Sequence, residues 1–217
     1  MRSRLATVTR LLDAPLDLGP RVAMLAAAVL LCAIYLVPLW SLTMFAPQYQ
    51  DGLRMNIYSY RLEGGNQGQD IKEINVLNHY IGMKDLVAED FTEFKWMPFV
   101  VGAIALLVLR AVVHGKFANL LDVLVLLAYF SAFSLWSFAY KLWWYGHNLS
   151  PQAAVTVDPF MPPLFGYKQL ANFEVYSYPG LASYALGASM LLLIAAVLVA
   201  WRQARKDPVS RAAGATA

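Results

Sequence analysis

The sequence predicts an all-α membrane protein, with four transmembrane helices, both termini on the cytoplasmic side, and two long extracytoplasmic segments forming an irregular cap. Three observations carry that expectation. Hydrophobic residues make up 59% of the 217 and charged residues 14%, far from the roughly 45–50% and about 25% of a soluble domain. Four apolar runs, 22–45, 96–113, 119–143 and 180–201, come close to the roughly 20 residues that a hydrocarbon core of about 30 Å demands. Basic residues fall at the N-terminus (Arg2, Arg4, Arg10, Arg21), in the short turn RAVVHGK and in the tail WRQARKDPVSR, which the positive-inside rule assigns to the cytoplasm.

The run 22–45 carries no charge and ends in LTMFAPQ without a small-x-small cleavage site, so it reads as a retained anchor. An even number of spans puts the connections 47–95 and 144–179 on the outer face, and the whole chain reads as one integral membrane domain. Within 47–74, PQYQDG, MNIYSYRLE and GGNQGQD predict a short hairpin or extended ribbon. From Ile71 to Glu93 the pattern turns helical, with Asp70 as N-cap and Glu73 three residues on, although Gly82 counts against continuity. The second connection, GHNLSPQAAVTVDPFMPPLFGYKQLANFEVYSYPG, is rich in Pro and aromatics and lacks helical period. It is therefore expected to be ordered but irregular. Connections this long carry function more often than they merely join helices.

Charges inside or near spans are costly and need partners. Asp122 near the inner boundary is expected to pair with Arg110, and Lys141 to snorkel outward beside Trp143, Trp144 and Tyr145. The stripe Tyr129, Phe133, Trp136 and Tyr140 reads as bundle core, with a quinone or lipid groove as the alternative. A formal charge of +3, spread over short segments, excludes nucleic acid as a natural partner. The single cysteine, Cys32, excludes an intrachain disulfide and any CxxC zinc or haem-attachment motif. The three histidines sit in turns or connections, so no two match in depth within the spans, which disfavours buried bis-histidine haem.

The stretch NVLNHYIGMKDL, 75–86, holds the candidate metal site. His79 and Met83 are four residues apart, which in a helix puts them on one face, and imidazole with thioether suits copper, thioether above all Cu(I). Further ligands would have to come from the same outer layer: His147, with Met55, Met44, Met97 and Met161 also available. The alternative reading gives His79 a backbone carbonyl partner and leaves Met83 to fill a gap. No nucleophile with a base, phosphate loop or complete metal motif is present. Three function classes remain: a copper-handling accessory protein, an electron-transfer subunit docking a quinol or cytochrome, and a structural subunit of a larger membrane complex.

MFAPQYQDGLRMNIY, INVLNHYIGMKDL and VDPFMPPLFGYKQLANFEVYSYPG together resemble the integral membrane accessory proteins, called NosB, encoded beside nitrous oxide reductase in many bacteria. The resemblance covers roughly 36–110 and, more loosely, 144–185. It implies a non-enzymatic, multi-pass protein of the bacterial inner membrane with a protein partner on the extracytoplasmic face. Its role would be in maturation, copper supply or electron delivery for that copper enzyme. It implies no ligand assignments.

Overall fold

The computed structural model describes residues 8–170 and 172–214. Arg2 and Arg4 of the N-terminal basic group lie outside the described residues, as do the side chains beyond Arg205 in the tail. Five α-helices are used below: α1 (Leu18–Leu31), continued by a 3-10 turn at Cys32–Tyr35, α2 (Gln69–Tyr80), α3 (Glu93–His114), α4 (Phe117–His147) and α5 (Leu181–Gly214). Among the described residues, four segments are long and apolar enough to cross a membrane: Leu18–Tyr35, Glu93–His114, Phe117–His147 and Leu181–Arg205. The chain divides into two compact units. One contains Met1–Cys32, Val101–Phe130 and Ala185–Ala217; the other contains Ala33–Val100 and Ser131–Tyr184.

The first unit is built on helical spacing. Val101, Ile104, Val108 and Ala111 of α3, and Leu120, Val123, Leu127 and Phe130 of α4, repeat at three- and four-residue steps and are all buried; they form the inward stripes by which helices pack. Met24, Ala27, Ala28 and Leu31 of α1 and Leu193, Ala196 and Ala200 of α5 are buried likewise. Ser189 Oγ donates to Ala27 O at 3.1 Å and to Ala185 O at 2.9 Å, satisfying a buried hydroxyl. The opposite faces remain apolar and exposed, as at Val29, Leu106, Val113 and Leu191, which suits a hydrocarbon solvent. Asp122 is exposed, and among the described residues no ion pair joins it to Arg110, contrary to expectation. The short α3–α4 turn is held instead by Leu16 N–H donating to Gly115 O at 2.7 Å and by a Lys116–Asp13 pair at 2.9 Å.

The second unit corrects the all-α expectation. In place of an irregular cap, the connections form a five-stranded antiparallel sheet of order β3-β2-β1-β5-β4, with β1 Trp40–Ala46, β2 Tyr49–Ile57, β3 Leu62–Gly64, β4 Gly166–Leu170 and β5 Phe173–Pro179. The predicted span 22–45 is likewise corrected: its helical part stops at Tyr35 and its last residues become β1. Pro38 explains the break, because it cannot donate to a helix and pushes its predecessor toward extended backbone. The hairpin expected within 47–74 is β2 with β3, through Met55↔Gly64 and Ile57↔Leu62, while β1, taken from the predicted span, pairs with β2 through Met44↔Leu53 and Leu42↔Met55. Unforeseen is the pairing of β1 with β5, through Leu42↔Ser177 and Met44↔Val175, which joins the two connections into one sheet.

Helix α2 covers one face of that sheet, burying Ile74, Leu77 and Asn78, with Ile71, Ile74 and Leu77 packed in a cluster that includes Leu53, Met55 and Phe173. Asp70 does not cap it. The N-cap is Gly68, and the buried Asp70 carboxylate accepts from Arg54 N–H at 2.8 Å and from Asn66 Nδ2 at 2.7 Å, tying the start of α2 to β2. The helix ends at Tyr80 in a Schellman arrangement: Met83 N–H donates to Asn78 O at 2.8 Å and Gly82 N–H to His79 O at 3.1 Å, with Gly82 left-handed at φ 78°. Ser150 N–H then donates to Gly82 O at 2.7 Å, and Val155 N–H to Tyr80 O at 3.1 Å, so the second connection is stitched onto the end of α2.

A side chain at Gly82 would adopt the strained left-handed conformation and bring its Cβ 2.7 Å from Ser150 O. Gly82→Ala should therefore lower stability by about 1–3 kcal/mol, read by thermal unfolding in detergent. An unchanged melting temperature would contradict this account of the α2 terminus.

Candidate functional site

The sheet face under α2 is apolar because β1 and β2 alternate. Leu42 and Met44 of β1 and Leu53, Met55 and Ile57 of β2 point to it, joined by Phe173 and Val175 of β5. These residues form the floor of a chamber of about 90 Å³. Ile74, Asn78 and Ile81 supply a second wall; Met83, Leu86 and Phe91 of the segment after α2 a third; and Phe138, Lys141, Leu142 and Tyr145 of α4 a fourth. Phe160 and Pro162 of the second connection complete it. Phe160 N–H donates to Gly146 O at 3.0 Å, a close approach that Gly146 permits, since a Cβ there would stand 1.8 Å from Phe160 O.

Asn78 is a fully buried polar side chain in a mostly apolar enclosure that Lys141 and Tyr145 also border. It is 1% exposed, and its side-chain Nδ2 has no hydrogen-bond partner among the described residues. A buried donor left unpaired costs about 1–3 kcal/mol, and the apolar walls would give a water fewer partners than the usual three. The neighbouring Asn75 is fully used by contrast: its Oδ1 accepts from Leu86 N–H at 2.8 Å and its Nδ2 donates to Leu86 O at 3.3 Å, fixing the segment that carries Met83.

Lys141 and Tyr145 also border a second, more polar cleft of about 270 Å³, shared with Lys84, Asp90, Tyr140 and Trp144. Lys141 turns to Asp90 O, which it reaches at 2.5 Å, and lies 3.9 Å from Glu93 Oε2. The expected snorkelling beside three aromatics is thus replaced by a partly buried polar contact. Lys84 Nζ pairs with Asp90 Oδ2 at 2.6 Å, and this hydrogen bond chiefly holds the Asp90 carboxyl below its ordinary range. Glu73 is lowered in the same way, mainly by the hydroxyl of Tyr49 and then by Gln69. Lys84 is therefore matched by the Asp90 carboxylate, while Lys141 donates to a main-chain carbonyl with the Glu93 carboxylate close by.

The structure separates the sequence-predicted metal residues into two groups. Met55 and Met83 line the chamber together with Met44. His79 is exposed on α2 and does not line it; because α2 stops at Tyr80, the i,i+4 face that joined it to Met83 does not exist. His147 is exposed at the end of α4, where Nδ1 meets Trp143 O at 2.8 Å and the ring stacks on Trp143 at 4.6 Å. Met161 lies between two chamber residues but outside the lining, with its carbonyl accepting from Lys168. Among the described residues, no three His, Cys, Asp or Glu side chains gather as a metal site. The stripe expected in the bundle core is exposed instead: Tyr129, Phe133, Trp136 and Tyr140 are 49–75% exposed, and the rings of Phe133, Trp136, Tyr140 and Trp143 follow one another at centroid distances of 5.8, 5.8 and 6.0 Å.

Sequence reasoning missed Asn78, Glu93 and Asp90. For Asn78 a signal was present, since it shares a helical face with Ile74 and Ile81. The other two depend on how the segment after α2 folds back. Comparison with family models, characterised proteins and solved structures finds no match to this chain.

A carboxyl depressed in the folded state stabilises above its unfolded pKa, and that stabilisation is lost as pH falls through the depressed value. Thermal stability in detergent should thus decline on acidification below about pH 5, with a shallower decline in Asp90→Asn. An equally steep decline in that variant would remove Asp90 as a source.

Proposed function

We propose that this chain is a non-enzymatic accessory protein of the bacterial inner membrane, of the NosB type, that supports an extracytoplasmic copper enzyme such as nitrous oxide reductase. In this reading both termini are cytoplasmic and the sheet-building connections face the periplasm, where the enzyme partner works. Four apolar helices support membrane residence. The carrying observation is the chamber itself, enclosed by aromatic, aliphatic and thioether side chains. Such a lining binds an apolar ligand in place, which favours electron delivery among the accessory roles. The ladder of aromatic rings on α4 gives a face for lipid or a partner helix.

Copper supply is the second reading, and one observation favours it: Met44, Met55 and Met83, from three different segments, converge on one chamber, and thioethers suit Cu(I). Methionine is also the common filler of irregular apolar space. A Cu(I) titration against a chelator separates the two. Copper supply expects about one Cu(I) per chain and its loss in Met55→Leu/Met83→Leu; electron delivery expects no stoichiometric copper.

Orientation and role each have a direct test. In a Cys32→Ser background, Gln152→Cys should react with a membrane-impermeant maleimide in intact spheroplasts; labelling only after lysis would reverse the assignment. Deleting the gene should reduce whole-cell nitrous oxide reduction several-fold at unchanged reductase abundance. Undiminished reduction would remove the accessory role.

A further inference from the structure

Resting on the electron-delivery reading, we infer that the chamber seats the ring of a quinone, with a ring carbonyl oxygen accepting a hydrogen bond from Asn78 Nδ2. The buried amide points to a ligand, because an unpaired donor in a mostly apolar enclosure is satisfied when an acceptor arrives with an otherwise apolar molecule.

Three features select a ring carbonyl over other apolar acceptors. Five aromatic side chains, Phe91, Phe138, Tyr145, Phe160 and Phe173, border the space beside three thioethers, and aromatic faces and sulfur both favour a flat ring. The volume of about 90 Å³ is smaller than the roughly 150 Å³ of an engineered cavity that takes up benzene, so a single ring enters as the flexible thioether side chains give way. A whole lipid does not fit. Finally, the ammonium groups that would attract a fatty-acid carboxylate are already engaged, Lys84 with Asp90 at 2.6 Å and Lys141 with Asp90 O at 2.5 Å. A neutral acceptor is therefore preferred to an anionic one. Lys141 and Tyr145 line both the chamber and the adjoining cleft.

The purified full-length chain in detergent is titrated with a short-tailed benzoquinone, with decanoate and with toluene, following melting temperature and equilibrium binding. The quinone should bind and raise the melting temperature, and should bind at least about tenfold more tightly than either comparison molecule. Asn78→Leu should weaken quinone binding roughly tenfold, the value of one hydrogen bond. Without ligand it should melt at or above the wild-type temperature, because removing an unpaired buried donor costs nothing. A purely structural Asn78 would instead lower the melting point. Met55→Phe, which fills the chamber without touching Asn78, should also abolish quinone binding. The inference is overturned if the quinone produces no shift, if decanoate or toluene binds as well, or if Asn78→Leu binds like wild type. A chain that binds no quinone yet is still required for nitrous oxide reduction would sink this assignment alone; loss of the deletion phenotype would sink the function reading instead.

Discussion

The pairing of β1 with β5 is the constraint on which the functional half of this molecule depends. Backbone polar groups that leave a helix must find new partners, and here the start of the first connection finds them on the end of the second, more than a hundred residues later. This ladder makes one sheet from two separate excursions. It also places Val175 and Phe173 beside Met44 and Leu53, so the chamber floor exists only when both connections are present. Trp40 Nε1 donates to Ser177 Oγ at 2.8 Å, which in turn donates to Leu164 O at 3.1 Å. Side-chain hydrogen bonds thus reinforce the register at the strand ends.

The end of α2 does the corresponding work above the sheet. Its Schellman turn directs the chain away from the helix axis at Gly82, and this exit puts Met83, Leu86 and Phe91 along the chamber wall. The glycine serves twice, since its carbonyl then receives the second connection through Ser150. His79 and Met83 consequently fall on opposite sides of a chain reversal, one exposed and the other packed against the core cluster. Asn78 sits just before that reversal. Its main-chain carbonyl closes the turn while its side chain enters the chamber wall, coupling helix termination to a buried polar group there.

Much of the membrane architecture was legible because burial of apolar helices leaves a simple trace: long uncharged runs with three- and four-residue stripes of inward residues. The ribbon within 47–74 that forms β2 and β3 was legible too. Strand β1 was not. Leu42 and Met44 face the chamber, while Phe45 on the other side packs edge-on against Tyr176 at 5.6 Å. The other face also holds Ser41 and Thr43, small and uncharged, so the strand extends an uncharged run and reads as the tail of the preceding helix despite its alternation. Strand β5 failed for a related reason. Its buried face runs Phe173, Val175, Ser177 and its outer face Glu174, Tyr176, Tyr178, so the polar-apolar contrast that marks a half-buried strand fades toward its end.

By itself the sequence determined that this chain has four segments fit to cross a bilayer, that its lone cysteine and scattered histidines offer no ready-made cofactor motif, and that its distinctive residues lie between the spans. These are properties of composition and short-range spacing, which hold whatever the chain contacts later. Only the tertiary structure decided that the connections form a single sheet, that Met44, Met55 and Met83 share one enclosure, and that His79 and His147 stay outside it. Those outcomes depend on hydrogen bonds and packing between residues far apart in the chain, and local pattern carries no record of which distant segment a strand edge will meet.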